Sequence, residues 1–367
     1  MHKITTLIAA VLLLAGCGKS PGESGDNTQD GGQELPLAVV TPAFAKGADI
    51  SWVSEMEKSG KVFLKLDGTP ADIFVVLKDC GINSIRLRVW VAPSGGWSGK
   101  DDVCALAVRA AEAGMALMID FHYSDFFADP SRQTFPKDWE ADKSDLEKTA
   151  AHLRTHTTEV LTALKEKGVS PAWVQIGNET RNGFLWPLAQ LWNNSGDISG
   201  GWSRFVRLFN EGYSAAKAVF PTAVVMPHIN NAWDDNSWWF KEFKTRGGLF
   251  DAIALSHYPQ TESKLTPEQV NSSALTRIAA LAATYGVPVY VAEVGVKPAT
   301  ESASAAVLQA FMDGVRNIPA CKGVFYWEPE VYGGWKPAVY STLGWGSYDM
   351  GAFRSDGRPS SIMNVFK

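Results

Sequence analysis

The chain has little of what nucleic-acid-binding proteins and disulfide-stapled domains require. Its 367 residues carry 34 basic and 39 acidic side chains, for a formal net charge of -5, and no run of basic residues is present. Nucleic-acid partners usually need a basic patch. The four cysteines are too widely spaced for a disulfide framework or a zinc knuckle. The sequence therefore predicts no nucleic-acid partner and favours a neutral or small ligand.

Motifs of several common enzyme classes are also absent. The sequence contains no GxGxxG or Walker A phosphate loop, no GxSxG elbow and no HExxH pair. No cysteine falls at the end of a predicted strand, which disfavours thiol catalysis. Asp120, His122 and His257, together with nearby glutamates, are potential metal ligands, but their spacing is not that of a metal site. We therefore expect no metal and no cofactor.

Long apolar runs are scarce, and the clearest one lies at the N-terminus. A basic end, Met1–Lys3, precedes the mainly apolar run Ile4–Leu14, and Leu14-Ala15-Gly16-Cys17 resembles a bacterial lipobox. This pattern predicts a lipoprotein signal peptide over residues 1–16, a lipidated Cys17 and a flexible polar linker over residues 17–41. We expect a membrane-anchored lipoprotein outside the cytoplasm, at the cell surface. A short buried helix that ends in a chance cysteine is the alternative.

Three cysteines remain for the folded part of the chain. Cys80, Cys104 and Cys321 lie in apolar surroundings and are far apart in sequence. They are predicted to be core thiols. A bridge between Cys80 and Cys104 stays open, because the chain is expected to lie in an oxidising compartment.

From residue 44 onward, short β-branched or aromatic runs alternate with longer helical patterns, as in repeated βα units. The predicted strands are Phe44–Trp52, Ser84–Val91, Ala116–Tyr123, Trp173–Glu179, Ala223–His228, Ala252–Tyr258, Val289–Val294 and Val324–Glu328. The clearest predicted helices are Asp101–Gly114, Asp145–Gly168, Trp202–Phe220 and Pro267–Gly286. Glycines such as Gly114 and Gly286 mark helix ends. Eight such units in one α/β domain, residues 42–367, predict a closed (β/α)8 TIM barrel.

Polar and aromatic residues gather at the predicted carboxyl ends of the strands, which in a barrel meet at one face. We take as candidate site residues Asp49, Arg86, Arg88, Trp90, Asp120, His122, Asn178, Glu179, His257, Tyr258, Glu293 and Trp327. Several of these residues also fit a structural role. Asp49 could cap a loop, His122 could be a structural histidine, and a single tryptophan could belong to the core.

Glu179 and Glu293 follow strands on opposing sides of the predicted barrel, so their carboxyls can face each other across a cleft. Two facing carboxyls are what a retaining glycosidase needs. One attacks the anomeric carbon, and the other first protonates the leaving oxygen and then activates water. Arg86, if it reaches the nucleophile, would keep that carboxylate ionised. The alternative for Glu293 is a purely structural role as the ion-pair partner of an arginine.

Several long motifs, in order, resemble glycoside hydrolase family 53. They are Gly47-Ala48-Asp49-Ile50-Ser51, Ile85-Arg86-Leu87-Arg88-Val89-Trp90-Val91, Asp120-Phe121-His122-Tyr123-Ser124-Asp125-Phe126, and Gly177-Asn178-Glu179 followed by Leu185-Trp186-Pro187. The resemblance runs from about Phe44 to the C-terminus and implies an endo-β-1,4-galactanase, also called arabinogalactan endo-β-1,4-galactosidase.

Position by position, the resemblance implies that Glu179 is the acid/base and Glu293 the nucleophile. It further implies that Asn178 binds the sugar 2-hydroxyl, and that the cleavage subsite is shaped by Arg86, His122, Tyr258 and Trp327. Phe127 and His257 depart from the residues usual in the family, tryptophan and tyrosine respectively. Some bacterial relatives hold calcium with a long loop. Here Val296–Thr300 is short and only Ser347 and Asp349 resemble that site, so we expect no complete calcium site of that type.

Together with the two facing glutamates, this resemblance implies a retaining enzyme that cuts inside β-1,4-galactan, the side chains of pectin, and that also accepts galacto-oligosaccharides. We expect it to be a monomer. The 14 tryptophans fit this substrate, because sugar faces stack on flat apolar platforms. Two alternatives remain open. One is a related β-glycanase acting on mannan, xylan or cellulose, and the other is a non-catalytic glycan-binding surface lipoprotein.

Overall fold

The structure, a computed structural model, describes residues 41–260, 264–297, 300–337, 340 and 348–367. The predicted signal peptide, Cys17 and all of the predicted linker except Thr41 lie outside the described residues, as do Pro298, Ala299 and Ser347. Within the described ranges, no helix is both long enough and apolar enough to cross a membrane.

Eight parallel strand positions form the centre of the fold. They are β1 Ala45–Asp49, β2 Ser84–Val89, β3 Ala116–Phe121, β4 Trp173–Ile176, β5 Val224–Met226 with its continuation His228–Ile229, β6 Ile253–His257, β7 Val289–Val294 and β8 Cys321–Trp327. Pro227 separates the two segments of β5, because proline has no N–H to give to a sheet ladder.

The strands close into a barrel. From the second segment of β5 the order is β6, β7, β8, β1, β2, β3, β4 and then the first segment of β5, all in parallel pairs. Both free edges of the sheet thus belong to the same strand position. The predicted (β/α)8 barrel is confirmed.

Helices follow the strands in the expected alternation. They are α1 Val53–Lys58, α2 Ile73–Asp79, α3 Lys100–Glu112, α4 Leu146–Glu166, α5 Gly201–Val219, α6 Ser237–Thr245, α7 Pro267–Tyr285 and α8 Glu301–Arg316. Short 3-10 segments occupy Lys137–Asp142, Thr180–Asn182 and Ser361–Phe366. The start of α7 shows why the sequence folds as it does there: Thr266 and Gln269 form a capping box, and Pro267 begins the helix.

The loop after β4 carries two small antiparallel hairpins. One pairs Gly183–Phe184 with Ala189–Gln190, and the other pairs Trp192–Asn193 with Gly196–Asp197. Sequence periodicity did not predict either, because strands of two residues are too short to show alternation.

Several predicted strands ran too far at their carboxyl ends. The strand predicted to reach Glu179 ends at Ile176 because the next residues leave the extended conformation, with φ of 79° at Gly177 and 48° at Glu179. Tyr123 and Glu328, which follow β3 and β8, also have positive φ, at 50° and 49°. Left-handed backbone at non-glycine residues is uncommon and often marks functional positions. The backbone therefore leaves the extended conformation where β3, β4 and β8 reach the barrel mouth.

The barrel interior has its own core, below the mouth. It consists of Ala45, Ala116, Met118, Trp173, Met226, Ala252, Ala254, Tyr290, Ala292 and Phe325. Small residues alternate with large rings, and at Gly47 a Cβ atom would lie only 2.1 Å from the Phe325 ring. Glycine is thus required on β1 so that the aromatic ring can fill the barrel.

The larger core lies between the strands and the surrounding helices, and it includes the three cysteines of the described region. Cys80, Cys104 and Cys321 are buried and free. The prediction of core thiols is confirmed, and the bridge between Cys80 and Cys104 that the sequence left open is not formed.

Candidate active site

A cleft opens at the carboxyl ends of the barrel strands. It is lined by His122, Phe127, Ala128, Asp129, Asn178, Glu179, Tyr258, Glu293, Trp327, Tyr348, Asp349 and Met350. Predicted strand-end residues from β3, β4, β6, β7 and β8 thus meet here. The barrel brings them together because the ends of parallel strands converge on one face.

Arg86 of β2 lies beneath the cleft and is fully buried. Its Nη1 bonds Asp49 at 2.7 Å and Glu293 at 3.0 Å, and its Nη2 bonds Asp120 at 2.8 Å. Burial alone would lower the pKa of the guanidinium, but the three carboxylates, Asp120 foremost, raise it. The cation is therefore permanent, and it holds carboxylates from β1, β3 and β7 around one guanidinium.

Asp120 and His122 form a second buried pair on β3. The His122 Nε2 lies 2.9 Å from Asp120 Oδ2, while its Nδ1 accepts from the backbone N–H of Ala128 at 3.0 Å and from Trp90 Nε1 at 3.3 Å. These partners place the proton on Nε2. Burial works to raise the pKa of Asp120, but Arg86 and then His122 hold it below its usual range. Asp120 therefore remains ionised and orients the imidazole toward the cleft.

Glu293, at the end of β7, is held on both oxygens. Arg86 binds its Oε1, and the Tyr258 hydroxyl donates to its Oε2 at 2.8 Å. Burial raises the pKa of this carboxyl, whereas Arg86 and Tyr258 act in the opposite direction by stabilising its ionised form. The expectation that Arg86 reaches this glutamate is met by the geometry.

Glu179 faces the same cleft from the end of β4 but has no cation bonded to it among the described residues. Enclosure of its carboxyl raises its pKa well above the ordinary value, and the nearby charge of Glu293 raises it further. A hydrogen bond from Ser256 opposes this only in part. The pKa of Glu293 is also raised, but that of Glu179 is raised well above its ordinary value.

A polar network that strand-end reasoning missed supports Asn178. Its Oδ1 accepts from Arg86 Nη2 at 2.8 Å and from Gln175 Nε2 at 3.1 Å, and lies 2.8 Å from His228 Nδ1. Its amide nitrogen donates to Ala128 O at 2.8 Å. Burial lowers the pKa of His228 well below its usual value, so this imidazole is neutral. The sequence does indicate Gln175 as a candidate, because it is a polar residue on the inward face of a buried strand.

An aromatic wall bounds the cleft on the β1 and β2 side. The guanidinium of Arg88 lies 5.2 Å, 5.0 Å and 4.7 Å from the ring centres of Trp52, Trp90 and Phe127. Arg88 also pairs with the buried carboxylate of Glu328. Burial raises the pKa of Glu328 to about 7, although Arg88 opposes this. Arg88 and Trp90 thus lie behind the cleft surface and support Phe127, which is on it.

Other candidates occupy places different from those predicted. Asp49, Arg86 and Asp120 are fully buried beneath the cleft and do not line it. The structure does not bring His257 to the cleft at all. Its Nε2 bonds Asn271 Oδ1 of α7 at 2.7 Å, and its ring stacks on Phe311 of α8 at 4.0 Å.

The physical reason is the two-residue period of β6. Ser256 and Tyr258 point to the barrel interior, so His257 between them points outward to the helices. Burial lowers the pKa of His257 to about 4. The assignment of His257 as a substrate-binding residue is therefore corrected to a packing role.

Loop residues complete the cleft in ways that periodicity could not predict. Phe127, Ala128 and Asp129 come from the loop after β3, and Tyr348, Asp349 and Met350 from the segment after β8. The Tyr348 ring packs edge-on against Trp327 at 4.7 Å.

No group of three or more histidine, cysteine, aspartate or glutamate side chains in the described part of the chain is arranged to hold a metal ion. Asp349, the described half of the predicted partial calcium site, lies 3.7 Å from the ammonium of Lys297. This ammonium is a cation that would compete with calcium for the carboxylate.

Comparison with known proteins yields one family. The sequence profile of glycosyl hydrolase family 53 matches residues 45–304. An arabinogalactan endo-β-1,4-galactanase from Thermothelomyces thermophilus is 30% identical over 88% of this chain and 98% of its own length. An endo-β-1,4-galactanase from Bacillus subtilis (strain 168) is 32% identical over 78% of this chain and 70% of its own length.

Solved structures agree with this result. A fungal β-1,4-galactanase has a TM-score of 0.75 and 28% identity, over 89% of this chain and 99% of the fungal chain. The family 53 catalytic domain of Ignisphaera aggregans has a TM-score of 0.76 and 26% identity, over 91% and 97% of the two chains.

Proposed function

Because the chain belongs to glycosyl hydrolase family 53, we propose that it is an endo-β-1,4-galactanase, which hydrolyses the β-1,4-galactan of arabinogalactan. Relatives that carry this activity in their names align over most of the chain. The observation that carries the proposal is that Glu179 and Glu293 line one cleft in different electrostatic surroundings. No cofactor is needed for this chemistry, since two carboxyls and a water molecule suffice.

We assign the nucleophile to Glu293 and the acid/base to Glu179. In the first step Glu293 attacks the anomeric carbon while Glu179 gives its proton to the glycosidic oxygen, which leaves with the rest of the chain. In the second step Glu179 takes a proton from water, and the resulting hydroxide equivalent displaces Glu293 from the sugar. The anomeric configuration is retained, because two inversions occur at the same carbon.

The surroundings suit each role. Arg86 and Tyr258 stabilise the ionised carboxylate of Glu293, which is the form that attacks. Glu179 lacks such a partner in the described region and lies next to a negative charge, so it holds the proton that the leaving group needs.

For the remaining contacts, we propose that Asn178 binds the sugar hydroxyl next to the anomeric centre. Trp327 and Tyr348 then form a right-angled aromatic corner against which the sugar ring packs.

Two variants test the assignment. On purified galactan, Glu179→Gln and Glu293→Gln should each lower kcat by several orders of magnitude, whereas Glu159→Gln, on the exposed face of α4, should not. With an aryl galactobioside, whose leaving group needs no proton, Glu179→Gln should keep far more activity than Glu293→Gln. Near-normal galactan hydrolysis by either site variant would defeat the assignment.

Substrate class needs a separate assay. Reducing-end release from galactan, mannan, xylan and cellulose is compared in parallel, and the family predicts that galactan is preferred. Proton NMR of the first products checks that the β configuration is retained. A protein that binds galactan without releasing reducing ends would instead be a glycan-binding module.

We further propose that the barrel is tethered to a membrane, outside the cytoplasm, through a lipid on Cys17, and that it acts there as a monomer. The support for the tether is the N-terminal sequence pattern alone. Wild-type protein should fractionate with membranes, and Cys17→Ser should be found in the soluble fraction. Light scattering of the released barrel should give the mass of one chain.

A further inference from the structure

A second depression in the barrel mouth lies next to the cleft, in the loop after β4. It is lined by Asn182, Trp186, Gln190, Trp192, Asn193 and Asn194, with Ser195 at its rim, and we call it the tryptophan groove. None of its described lining residues is charged. The groove plays no part in the two-step chemistry above.

The local fold builds this groove on a rigid base. The side chain of Asn182 donates to Trp192 O at 3.1 Å and accepts from Trp192 N at 2.9 Å, so it clamps the second hairpin. The Trp186 indole donates to Asn182 O at 2.9 Å. These bonds engage the backbone of Trp192 and leave its side chain for the surface.

The aromatic surface continues beyond the hairpin. The Trp192 ring lies 5.8 Å from that of Trp238, which is 40% exposed. Arg181, held by Asp234 at 2.7 Å, lies 5.8 Å from the Trp238 ring. A contiguous exposed apolar patch, such as two neighbouring indole rings, often marks a site that binds a ligand or a partner.

A short stretch of chain links the groove to the catalytic cleft. Glu179 lines the cleft and Asn182 lines the groove, and the 3-10 segment Thr180–Asn182 joins them directly. At a rise of about 2 Å per residue, three residues span roughly 6 Å. The groove therefore begins beside the proposed acid/base.

The direction of the substrate follows from the chemistry. The acid must contact the oxygen that leaves, so the leaving part of the chain lies on the Glu179 side of the bond. Glu293, Tyr258 and Trp327 come from β7, β6 and β8 and bound the cleft elsewhere. An uncharged surface of indole faces and side-chain amides suits a neutral sugar, since amides both donate and accept hydrogen bonds, as hydroxyls do.

We propose that the tryptophan groove binds the leaving-group portion of the galactan chain, that is, the galactose residues on the reducing-end side of the bond that is cut. This inference rests on the proposed function. It makes Trp192 a specificity-determining residue for long substrates, with Asn193 and Asn194 as its hydrogen-bonding neighbours.

The test compares two substrates in each variant. An aryl galactobioside places only an aryl group beyond the scissile bond, whereas galactohexaose extends several sugars toward the groove. For Trp192→Ala, the ratio of kcat/KM on galactohexaose to kcat/KM on the aryl substrate should fall about tenfold, equivalent to about 1.4 kcal/mol. Trp192→Phe keeps an aromatic face and should restore most of the ratio.

Products from galactohexaose labelled at its reducing end give a second readout. Loss of the groove contact should shift cleavage so that the labelled products become shorter. An unchanged ratio together with an unchanged product pattern in Trp192→Ala would overturn the inference while leaving the galactanase assignment intact. Failure of the wild-type protein to cleave galactan would instead defeat the proposed function, and this inference with it.

Discussion

Replacing Tyr258 by phenylalanine removes the hydroxyl that donates a 2.8 Å hydrogen bond to Oε2 of Glu293. The bond stabilises the ionised carboxylate, so its loss raises the pKa of Glu293. Hydrogen bonds to charged groups contribute about 1.5–3 kcal/mol. At 1.36 kcal/mol per pKa unit, this corresponds to an upward change of about 1–2 units. Arg86 still binds Oε1, so the ionised carboxylate of Glu293 loses one of its two stabilising partners and keeps the other.

The pH dependence of kcat/KM on galactan measures this change. Its acid limb reports the group that must be ionised in the free enzyme, which is Glu293 in our assignment. In Tyr258→Phe the acid limb should therefore move to higher pH, and activity at low pH should fall most. Tyr123→Phe is the matched control, because the Tyr123 hydroxyl bonds Thr157 at 2.8 Å outside the cleft. An acid limb at the wild-type position in Tyr258→Phe would refute the reasoning.

Two further predictions concern stability. Burial lowers the pKa of His257 to about 4 from an ordinary 6.5. Between these pH values the unfolded chain binds a proton that the folded chain does not. The free energy of unfolding therefore falls as pH falls from 6.5 to 4. In His257→Gln this loss should shrink by about 3 kcal/mol, measured by urea unfolding at both pH values, with kcat/KM on galactan unchanged; an equal loss in both proteins would contradict it. Arg88→Met leaves the buried carboxyl of Glu328 without its cation and should cost about 3–5 kcal/mol, more above pH 7 than below it. Arg109→Met, which breaks partly exposed ion pairs with Glu57 and Asp72, should cost only about 1 kcal/mol, and similar losses in the two variants would argue against a buried charge effect.

The errors at the candidate site share one origin. Strand-end reasoning treated His257 and Tyr258 alike, yet neighbours on a strand face opposite ways, so only Tyr258 reaches Glu293. Arg88 lies two residues after Arg86 on β2, so the two side chains share a face of the strand. It nevertheless sits behind Phe127, because a ring from the loop after β3 covers it. Periodicity describes strands and carries no information about where a loop side chain will lie.

Contacts between distant segments could not be predicted from the sequence either. The Asn178 amide is fixed by Gln175, His228 and Arg86, residues from three different strands. The sequence marks Arg86 as a strand-end residue and Gln175 as a polar residue in a buried strand, but nothing in it shows that the three side chains meet. Their shared network exists only because barrel closure brings β2, β4 and β5 to one centre.

The sequence alone determined the repeated βα units, the buried thiols and the pairing of two strand-end glutamates, because each depends on local patterns or on the symmetry of a parallel barrel. The tertiary structure decided how those glutamates differ. Arg86 and Tyr258 reach Glu293 from β2 and β6, while Glu179 keeps no such cation in the described region. The free energy of a charge depends on the groups within a few ångströms of it, and chain folding chooses those groups.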